Sequence, residues 1–255
     1  MNALSRRRAI RLGLGSAAAF RLSTFTGGGA RAEEATPSPV VPYHPIIDPA
    51  NFASQVDNPY MPLIPGTVFT YAGTSDGESQ QNIITVTSET KMIVGIACVV
   101  VRDQVFAGDE LLEDTYDWFA QDRLGQVWYF GEDSTAYEDG KTSKEGSWET
   151  GVDGAQPGII MMANPAPGDP YRQEYYPGVA EDMGQVIEAG GEITVPFGSF
   201  TNTVTTKEWS PLEPDVVEHK TYAPGIGFVY SIAVSGEDEE FALVDLQPGT
   251  ATPVA

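Results

Sequence analysis

The chain has 255 residues, and its 36 acidic residues outnumber 14 basic ones, which leaves a net charge of −22 at pH 7. Such an acidic surface repels nucleic acid and anionic lipid, and it therefore argues against both as partners. The single cysteine, Cys98, excludes an internal disulfide and is expected to be a small core residue. One cysteine and two histidines are also too few for a structural zinc site.

The N-terminal residues indicate export. The stretch "SRRR" at 5–8 precedes an apolar run at 9–20, and "ARA" at 30–32 resembles a cleavage site. We predict a twin-arginine signal peptide over 1–32, and the alternative is a Sec signal peptide with an extra arginine. These residues hold six arginines and no acid, so cleavage changes the net charge from −22 to −28. The expected location is the periplasm or the medium, with no membrane insertion after cleavage.

The rest of the chain is predicted to form one domain. Residues 33–48 are rich in proline and indicate a linker, 49–58 favours one short helix, and 249–255 is expected to be a flexible tail. The single β domain is therefore predicted over 49–248, a length that suits one all-β domain.

The predicted elements of this domain are strands. Runs rich in Val, Ile, Thr, Tyr and Phe are separated by short turns, which favours antiparallel pairing. They lie at 68–72, 81–88, 91–106, 111–121, 126–132, 171–176, 183–188, 192–197, 203–209, 215–223, 226–234 and 240–246. Between them, the Gly- and Pro-rich segment 134–170 is expected to fold over one end of the sheet. The predicted fold is all-β: a single strongly curved antiparallel sheet or a barrel (half-barrel) with a long capping loop.

The stretch "TYDWFAQDRLGQVWYFGED" at 115–133 predicts a hairpin whose function depends on its register, because a shift of one residue exchanges the faces. A three-residue loop at 123–125, which the position of Gly125 favours, separates Asp117 from residues on the opposite face, namely Tyr116, Trp118, Trp128, Phe130 and Glu132. A four-residue loop at 122–125 brings Asp117 onto the face of Glu132 instead. The aromatic residues then form an ordinary core with carboxylates at its rim, or a concave site that contains a carboxylate.

Two further stretches carry candidate functional residues. In "DPYRQEYYPGVAED" at 169–182, Arg172 is one of three arginines after residue 32, and it predicts a bidentate ion pair or an anchor for an anionic ligand. In "TKEWSPLEPDVVEHK" at 206–220, His219 is either structural or a general base or metal ligand. Strand alternation directs His219 away from Glu218 and Lys220.

Metal binding is a further hypothesis. A divalent cation such as calcium could be held by carboxylates, with Asp117, Glu132 and Asp182 as the first candidates, although no stretch fits an EF-hand loop. The wider set of carboxylates adds Asp114, Asp133 and Glu181. Copper(I) at Met161, Met162 and Met183 with His219 is the alternative to ordinary core methionines.

Five stretches resemble a family of exported bacterial proteins of unassigned function, and they span about residues 50–246: "DNPYMPLIPGT", "YDWFAQDRLGQVWYFGED", "GSWETGVDGAQPGIIM", "YRQEYYPGVAEDM" and "TKEWSPLEPDVVEHKTYAPGIGFV". The ending "TYAPGIGFV" is also similar to the closing hairpin of periplasmic curved-sheet proteins of the lipoprotein-carrier type. That similarity implies a bent antiparallel sheet with a hydrophobic concavity. The family implies no particular activity and assigns no catalytic residue.

Three functions follow from these patterns. The leading one is an exported binding protein that holds a small molecule, a carbohydrate or a divalent cation in an aromatic concavity with a carboxylate rim. Its predicted ligand contacts are Tyr116, Trp118, Trp128, Phe130, Trp148, Arg172 and Tyr175. The second is a carbohydrate hydrolase in which Trp118, Trp128 and Trp148 stack on sugars. Its candidate catalytic residues are Asp117, Glu132, Glu174, Glu181 and His219. The third is a structural envelope protein, which predicts no pocket.

Overall fold

A computed structural model describes residues 43–250 of the chain. The predicted signal peptide, most of the predicted linker and the end of the predicted tail lie outside these residues. In the described part, regular structure consists of one 3-10 turn at Pro49–Asn51 and seventeen strands. The strands are β1 (Asp57–Asn58), β2 (Met61–Pro62), β3 (Val68–Ser75), β4 (Glu78–Ile93), β5 (Ile96–Ala107), β6 (Glu110–Gln121), β7 (Val127–Glu138), β8 (Lys141–Ser143), β9 (Trp148–Glu149), β10 (Gln156–Met161), β11 (Tyr171–Arg172), β12 (Glu174–Tyr175), β13 (Met183–Val195), β14 (Gly198–Ser210), β15 (Glu213–Ala223), β16 (Gly227–Ser235) and β17 (Glu239–Gln247). Residues 43–250 contain no helix long and apolar enough to cross a membrane.

The fold is all-β, as predicted, and is built around one strongly curved antiparallel sheet that is not closed into a barrel. The order of its strands is β11-β13-β14-β15-β16-β17-β3-β4-β5-β6-β7-β10-β12, with β8 and β9 paired to β7. Strands β3 to β7 form one meander and β13 to β17 another, because short turns connect neighbours in sequence. The pairing of β17 with β3 joins the two meanders, and β1 and β2 form a separate small pair.

The two edges of the sheet meet at residues 171–175, which we call the clasp. Strand β11 pairs with β13 at one edge, and β12 pairs with β10 at the other. Only Gln173 separates these two strands in sequence. The clasp therefore connects both edges across the inner side of the curve, and two paired residues hold it at each edge.

The sheet wraps its inner face around the main hydrophobic core. This core draws residues from both meanders, including Phe69, Tyr71, Ile84, Phe119, Tyr129, Trp148, Ile160, Met161, Tyr222, Phe228, Phe241 and Leu243. The segment 56–63 covers one end of the inner face, where Asn58 Nδ2 donates to the carbonyls of Gly125 at 2.8 Å and Met162 at 3.0 Å. A smaller cluster lies on the outer face, with Ile47 and Phe52 packed over Ile93, Ile96, Cys98, Val100, Trp118, Ala120, Trp128 and Phe130.

Two elements differ from the prediction. The segment 49–58 forms no α-helix. It begins with the 3-10 turn at Pro49–Asn51, where Asp48 accepts a hydrogen bond from the Ala50 amide, and it ends in β1. The segment 134–170 is more regular than expected: it completes β7 and contributes β8, β9 and β10. Glycine permits this pairing at Gly158, where a Cβ would lie 2.3 Å from the backbone of Gln173 in the clasp.

Candidate functional site

The inner face changes from apolar to polar along several of its long strands. Strand β6 carries Phe119 and then Asp117, and β15 carries Tyr222, then Lys220 and Glu218, all of them buried. This change occurs within the alternating positions that face inward, so that the same face holds both kinds of residue. The residues linked by hydrogen bonds, ion pairs or mutual electrostatic effects are called the polar cluster below: Asp117, Tyr129, Glu132, Glu174, Asp182, Glu208, Glu218 and Lys220.

Tyr129 joins two carboxylates on the inner face. Its hydroxyl oxygen lies 2.7 Å from Asp117 Oδ1 and 2.9 Å from Glu132 Oε2. Burial raises the pKa of Tyr129 well above its ordinary value, and the negative charges of Asp117 and Glu132 raise it further, so the phenol keeps its proton. Because a phenol has one proton to donate, both contacts are hydrogen bonds only when one carboxyl also carries a proton. The Tyr129 hydroxyl therefore lies within hydrogen-bonding distance of both carboxyl groups inside the sheet.

A β-bulge at Gly131 places Glu132 beside Asp117. The turn has the predicted three-residue loop: the Asp122 amide donates to the Gln126 carbonyl at 2.9 Å, and Gly125 has φ of 96°. The register then shifts, so that Asp117 lies opposite Glu132 rather than Gly131. Gly131 has φ of 131°, and a Cβ there would lie 2.2 Å from the Trp148 carbonyl oxygen, so only glycine fits this bulge.

Because of this bulge, the aromatic residues do not share a face with Glu132 as predicted. Tyr116, Trp118, Trp128 and Phe130 belong to the cluster on the outer face, opposite to Asp117 and Glu132. Trp128 Nε1 donates to Asp122 Oδ2 at 2.9 Å, and Phe52 packs edge-on against Trp128 and Phe130. The predicted face that combined these aromatic residues with Glu132 is wrong, because neither register considered from the sequence included the extra residue of the bulge.

Trp148 and Glu174 connect the Tyr129 group to the clasp. Trp148 Nε1 donates to Glu174 Oε2 at 2.8 Å, and its ring meets Tyr129 edge-on with 5.4 Å between centroids. Both residues are less than a tenth exposed. Of the three tryptophans predicted to line the site, Trp148 is the one that lies on the inner side.

Lys220 holds the second part of the polar cluster. Its ammonium nitrogen lies 3.2 Å from Glu208 Oε2 and 3.4 Å from Glu218 Oε2. Burial alone would lower the pKa of Lys220, but the two glutamates outweigh burial and raise it above its ordinary value. Thr206 Oγ1 donates to Glu208 Oε1 at 2.7 Å and satisfies its second oxygen. Lys220 is thus a fully buried ammonium ion. Its charge is balanced by Glu208 on the adjacent strand and by Glu218 on its own strand.

Asp182 links the two parts electrostatically. Burial raises the pKa of Asp182 to about 8, with smaller raising effects from Glu208 and Glu132, while Ser210 and Lys220 lower it. Asp182 therefore holds its proton more tightly than an exposed aspartate does. Asp182 directly precedes β13, and its backbone carbonyl accepts a hydrogen bond from the Gln173 amide at 2.9 Å, so it lies beside the clasp.

The clasp contributes an unpartnered amide to the same place. Gln173 is fully buried, and neither its side-chain nitrogen nor its oxygen has a hydrogen-bond partner. Its Nε2 would be 3.0 Å from a Cβ on Gly184, which faces inward and pairs with Glu208 across the strands. The Tyr171 ring would be 2.9 Å from that Cβ, and its hydroxyl also has no partner. Gly184 therefore provides the space into which Gln173 and Tyr171 project beside Glu208.

The remaining predicted residues lie away from the polar cluster. His219 points to the outer side of β15, where burial and the charge of Lys207 lower its pKa. Arg172 lies 4.4 Å from the ring centroid of Tyr175 and 3.9 Å from Glu181, so its ion pair is loose. The bidentate pair expected of Arg172 occurs instead between Arg102 and Asp114, with two contacts of 2.7 Å.

No metal centre is formed by the described residues. Across 43–250, no group of three or more His, Cys, Asp or Glu side chains is placed to hold a metal ion. Asp117 and Glu132 are adjacent and Asp182 is in electrostatic range, but they do not converge as a ligand set.

Five residues of the site were not predicted from the sequence: Glu208, Glu218, Lys220, Tyr129 and Gln173. A lysine in the middle of a strand, two residues after a glutamate of the same parity, was a usable indication of a buried ion pair. Gly131 within a strand was an indication of a bulge. Gln173 offered no comparable pattern, because its position depends on the meeting of the two sheet edges.

Comparisons with known proteins give few further constraints. No family model matches the chain, and no curated protein matches it. Among solved structures, similarity is found to a Bacteroides fragilis protein provisionally named as exported, with a YmcC-like fold, at 15% identity and a TM-score of 0.42, covering 74% of this chain and 99% of that one. A second is a provisionally named lipoprotein from Parabacteroides distasonis, at 14% identity and a TM-score of 0.35, covering 74% of this chain and 98% of that one. Neither name states a ligand or an activity, and the family resemblance of the motifs stays a prediction.

Proposed function

We propose that this is an exported protein that binds a small polar ligand at the polar cluster. One observation carries the proposal: six carboxylates and one ammonium group are buried together on a face that is elsewhere filled by apolar side chains. Burying charged and polar groups costs free energy that apolar packing avoids. Departures from apolar packing on this scale are expected at sites of recognition or chemistry. Export is supported by the "SRRR" stretch and the apolar run in residues 1–32.

The chemistry of the cluster favours an organic ligand over a metal ion. Carboxylate and amide oxygens accept hydrogen bonds from N–H and O–H groups, which sugars, alcohols and amines all provide. The dispersion of the carboxylates over several strands matches a ligand of several atoms better than a single ion. The absence of a convergent ligand set in residues 43–250 points the same way.

One observation supports the rival function, a carbohydrate hydrolase. Asp117 and Glu132 share the Tyr129 hydroxyl, so the pair can hold one proton as an acid and a base must. However, Trp118, which was predicted to stack on a sugar, lies on the other face of the sheet from this pair. A sugar stacked on Trp118 could not reach this pair, so binding is the better-supported function.

Native mass spectrometry of the protein purified after export tests the proposal directly. We expect a species heavier than the mature chain that releases a small molecule on denaturation. The variant Glu208→Gln, which removes one charge from the cluster, should reduce the retained fraction. Glu110→Gln, the same substitution at an exposed position of β6, should leave it unchanged.

Two results would decide against binding. If the exported protein and the Glu208→Gln variant both have the bare mass of the chain, and a panel of sugars, amines and alcohols leaves the melting temperature unchanged, the cluster serves structure alone. If the protein hydrolyses a chromogenic glycoside and Asp117→Asn abolishes this activity, the hydrolase replaces the binding protein.

A further inference from the structure

The polar cluster contains far more negative than positive groups. Among residues 43–250, Lys220 is the one basic side chain that is fully buried, and it already contacts Glu208 and Glu218. The cluster contains four further carboxylates: Asp117, Glu132, Glu174 and Asp182. An anionic ligand would be repelled there, whereas a cation would be attracted and would favour the ionised form of Asp182, whose pKa burial raises. Charge therefore selects a positively charged ligand.

Gln173 provides an independent indication that a ligand is accommodated. Its carboxamide is fully buried and projects into the space above Gly184, next to Glu208, with no hydrogen-bond partner on either atom. An unsatisfied buried amide costs about 1–3 kcal/mol, so such groups are rarely retained without a partner. Its oxygen can accept an N–H donor beside the carboxylates. Tyr171 and Tyr222 lie at the same place: the Tyr222 hydroxyl donates to Glu208 Oε1 at 3.4 Å, and the Tyr171 ring would lie 2.9 Å from a Cβ on Gly184.

We propose that the ligand is a small organic amine, bound as its ammonium ion between Gln173, Asp182 and Glu208, an inference that rests on the proposed function. An ammonium group has three N–H donors, and these residues offer two carboxylates and one amide oxygen as acceptors. The aromatic faces of Tyr171 and Tyr222 suit the carbon chain of the amine and add cation–π attraction. Entry is by displacement of the clasp, because Gln173 lies at its centre and two paired residues hold it at each edge.

Calorimetric titration with three probes of equal chain length tests the charge of the ligand. The probes are 1,4-diaminobutane, 1,4-butanediol and succinate, titrated into the exported protein at pH 7.5 in low salt. We expect the diamine to bind and the diol and the dianion not to bind. Gln173→Leu and Asp182→Asn should each weaken diamine binding by at least about tenfold. Gln81→Leu, at an exposed position of β4, should change the dissociation constant by less than about twofold.

The outcomes separate this inference from the proposed function. If the diol or succinate binds and the diamine does not, the ammonium inference is overturned while binding at the cluster stands. If the diamine binds with equal affinity to wild type and Asp182→Asn, the assigned position is wrong. Asp182→Asn decides this point even where Gln173→Leu fails to fold. If no probe binds and the exported protein carries no ligand by mass spectrometry, both proposals fall.

Discussion

Replacing Lys220 with methionine tests whether opposite charge holds the second part of the polar cluster together. The Lys220 side chain is 2% exposed and lies 3.2 Å from Glu208 and 3.4 Å from Glu218. Methionine retains most of the apolar stem but leaves two buried glutamates without their cation. Removing one partner of a buried ion pair costs about 3–5 kcal/mol. We expect a loss of this size at pH 7, which is a large part of the roughly 5–15 kcal/mol that stabilises a typical domain.

Urea unfolding, followed by tryptophan fluorescence and extrapolated to water, measures the loss. The control Lys141→Met removes an exposed lysine of β8 and should change the free energy of unfolding by no more than about 0.5 kcal/mol. The triple variant Lys220→Met, Glu208→Gln, Glu218→Gln removes all three charges. It should recover most of the loss, because no buried charge is then left without an opposite charge.

The loss of stability in Lys220→Met should also depend on pH. The glutamates raise the pKa of Lys220, so its contribution is fully present at neutral pH and is lost only as pH rises beyond about 10.5, the ordinary lysine value. In Lys220→Met, lowering the pH protonates Glu218, whose pKa burial already raises, so the loss should be smaller at pH 5 than at pH 7. A loss below about 1 kcal/mol at pH 7, or one that grows on acidification, would refute the reasoning.

Three further predictions test other parts of the structure. Because burial raises the pKa of both Asp182 and Glu239 to about 8, the folded state holds their protons more tightly than the unfolded state. The free energy of unfolding should therefore fall as pH rises from about 4 to 8. The fall should be smaller in Asp182→Asn. If that variant shows the same dependence on pH as the wild type, the raised pKa of Asp182 is contradicted. Gly131→Ala should cost about 2 kcal/mol or more in urea unfolding, against about 1 kcal/mol for Gly140→Ala, where nothing lies within 4 Å; equal losses would show that the bulge tolerates a Cβ. Amides of 171–175 should exchange with deuterium faster than those of the central strands, and equal protection would contradict the weak pairing of the clasp.

The local features of the hairpin were predictable and its bulge was not. The placement of Gly125 indicated the three-residue loop, since a left-handed residue is needed there, and the structure has this loop. Whether Asp117 meets Glu132 depended on where the Trp148 carbonyl approaches Gly131, more than a dozen residues further along the chain. A contact between distant segments leaves no periodic trace in either of them.

The candidate site was likewise predictable from the sequence only in part. Alternation correctly placed His219 on the side of β15 away from Glu218 and Lys220, because neighbouring strand residues point to opposite faces. The sequence did not indicate which of the many carboxylates are buried, since an exposed and a buried glutamate occupy identical patterns. Burial was decided by the pairing of β14 with β15 and of β11 with β13.

The sequence by itself determined the all-β class, the antiparallel order of the long strands and the excess of acid, because these follow from composition, alternation and turn length. The tertiary structure alone decided that the tryptophans of β6 and β7 face outward and that the clasp brings an amide to a cluster of buried acids. The physical reason is that a side chain's face is a local property of a strand. Its neighbours, and with them its charge state, depend on which distant strands curve round to meet it.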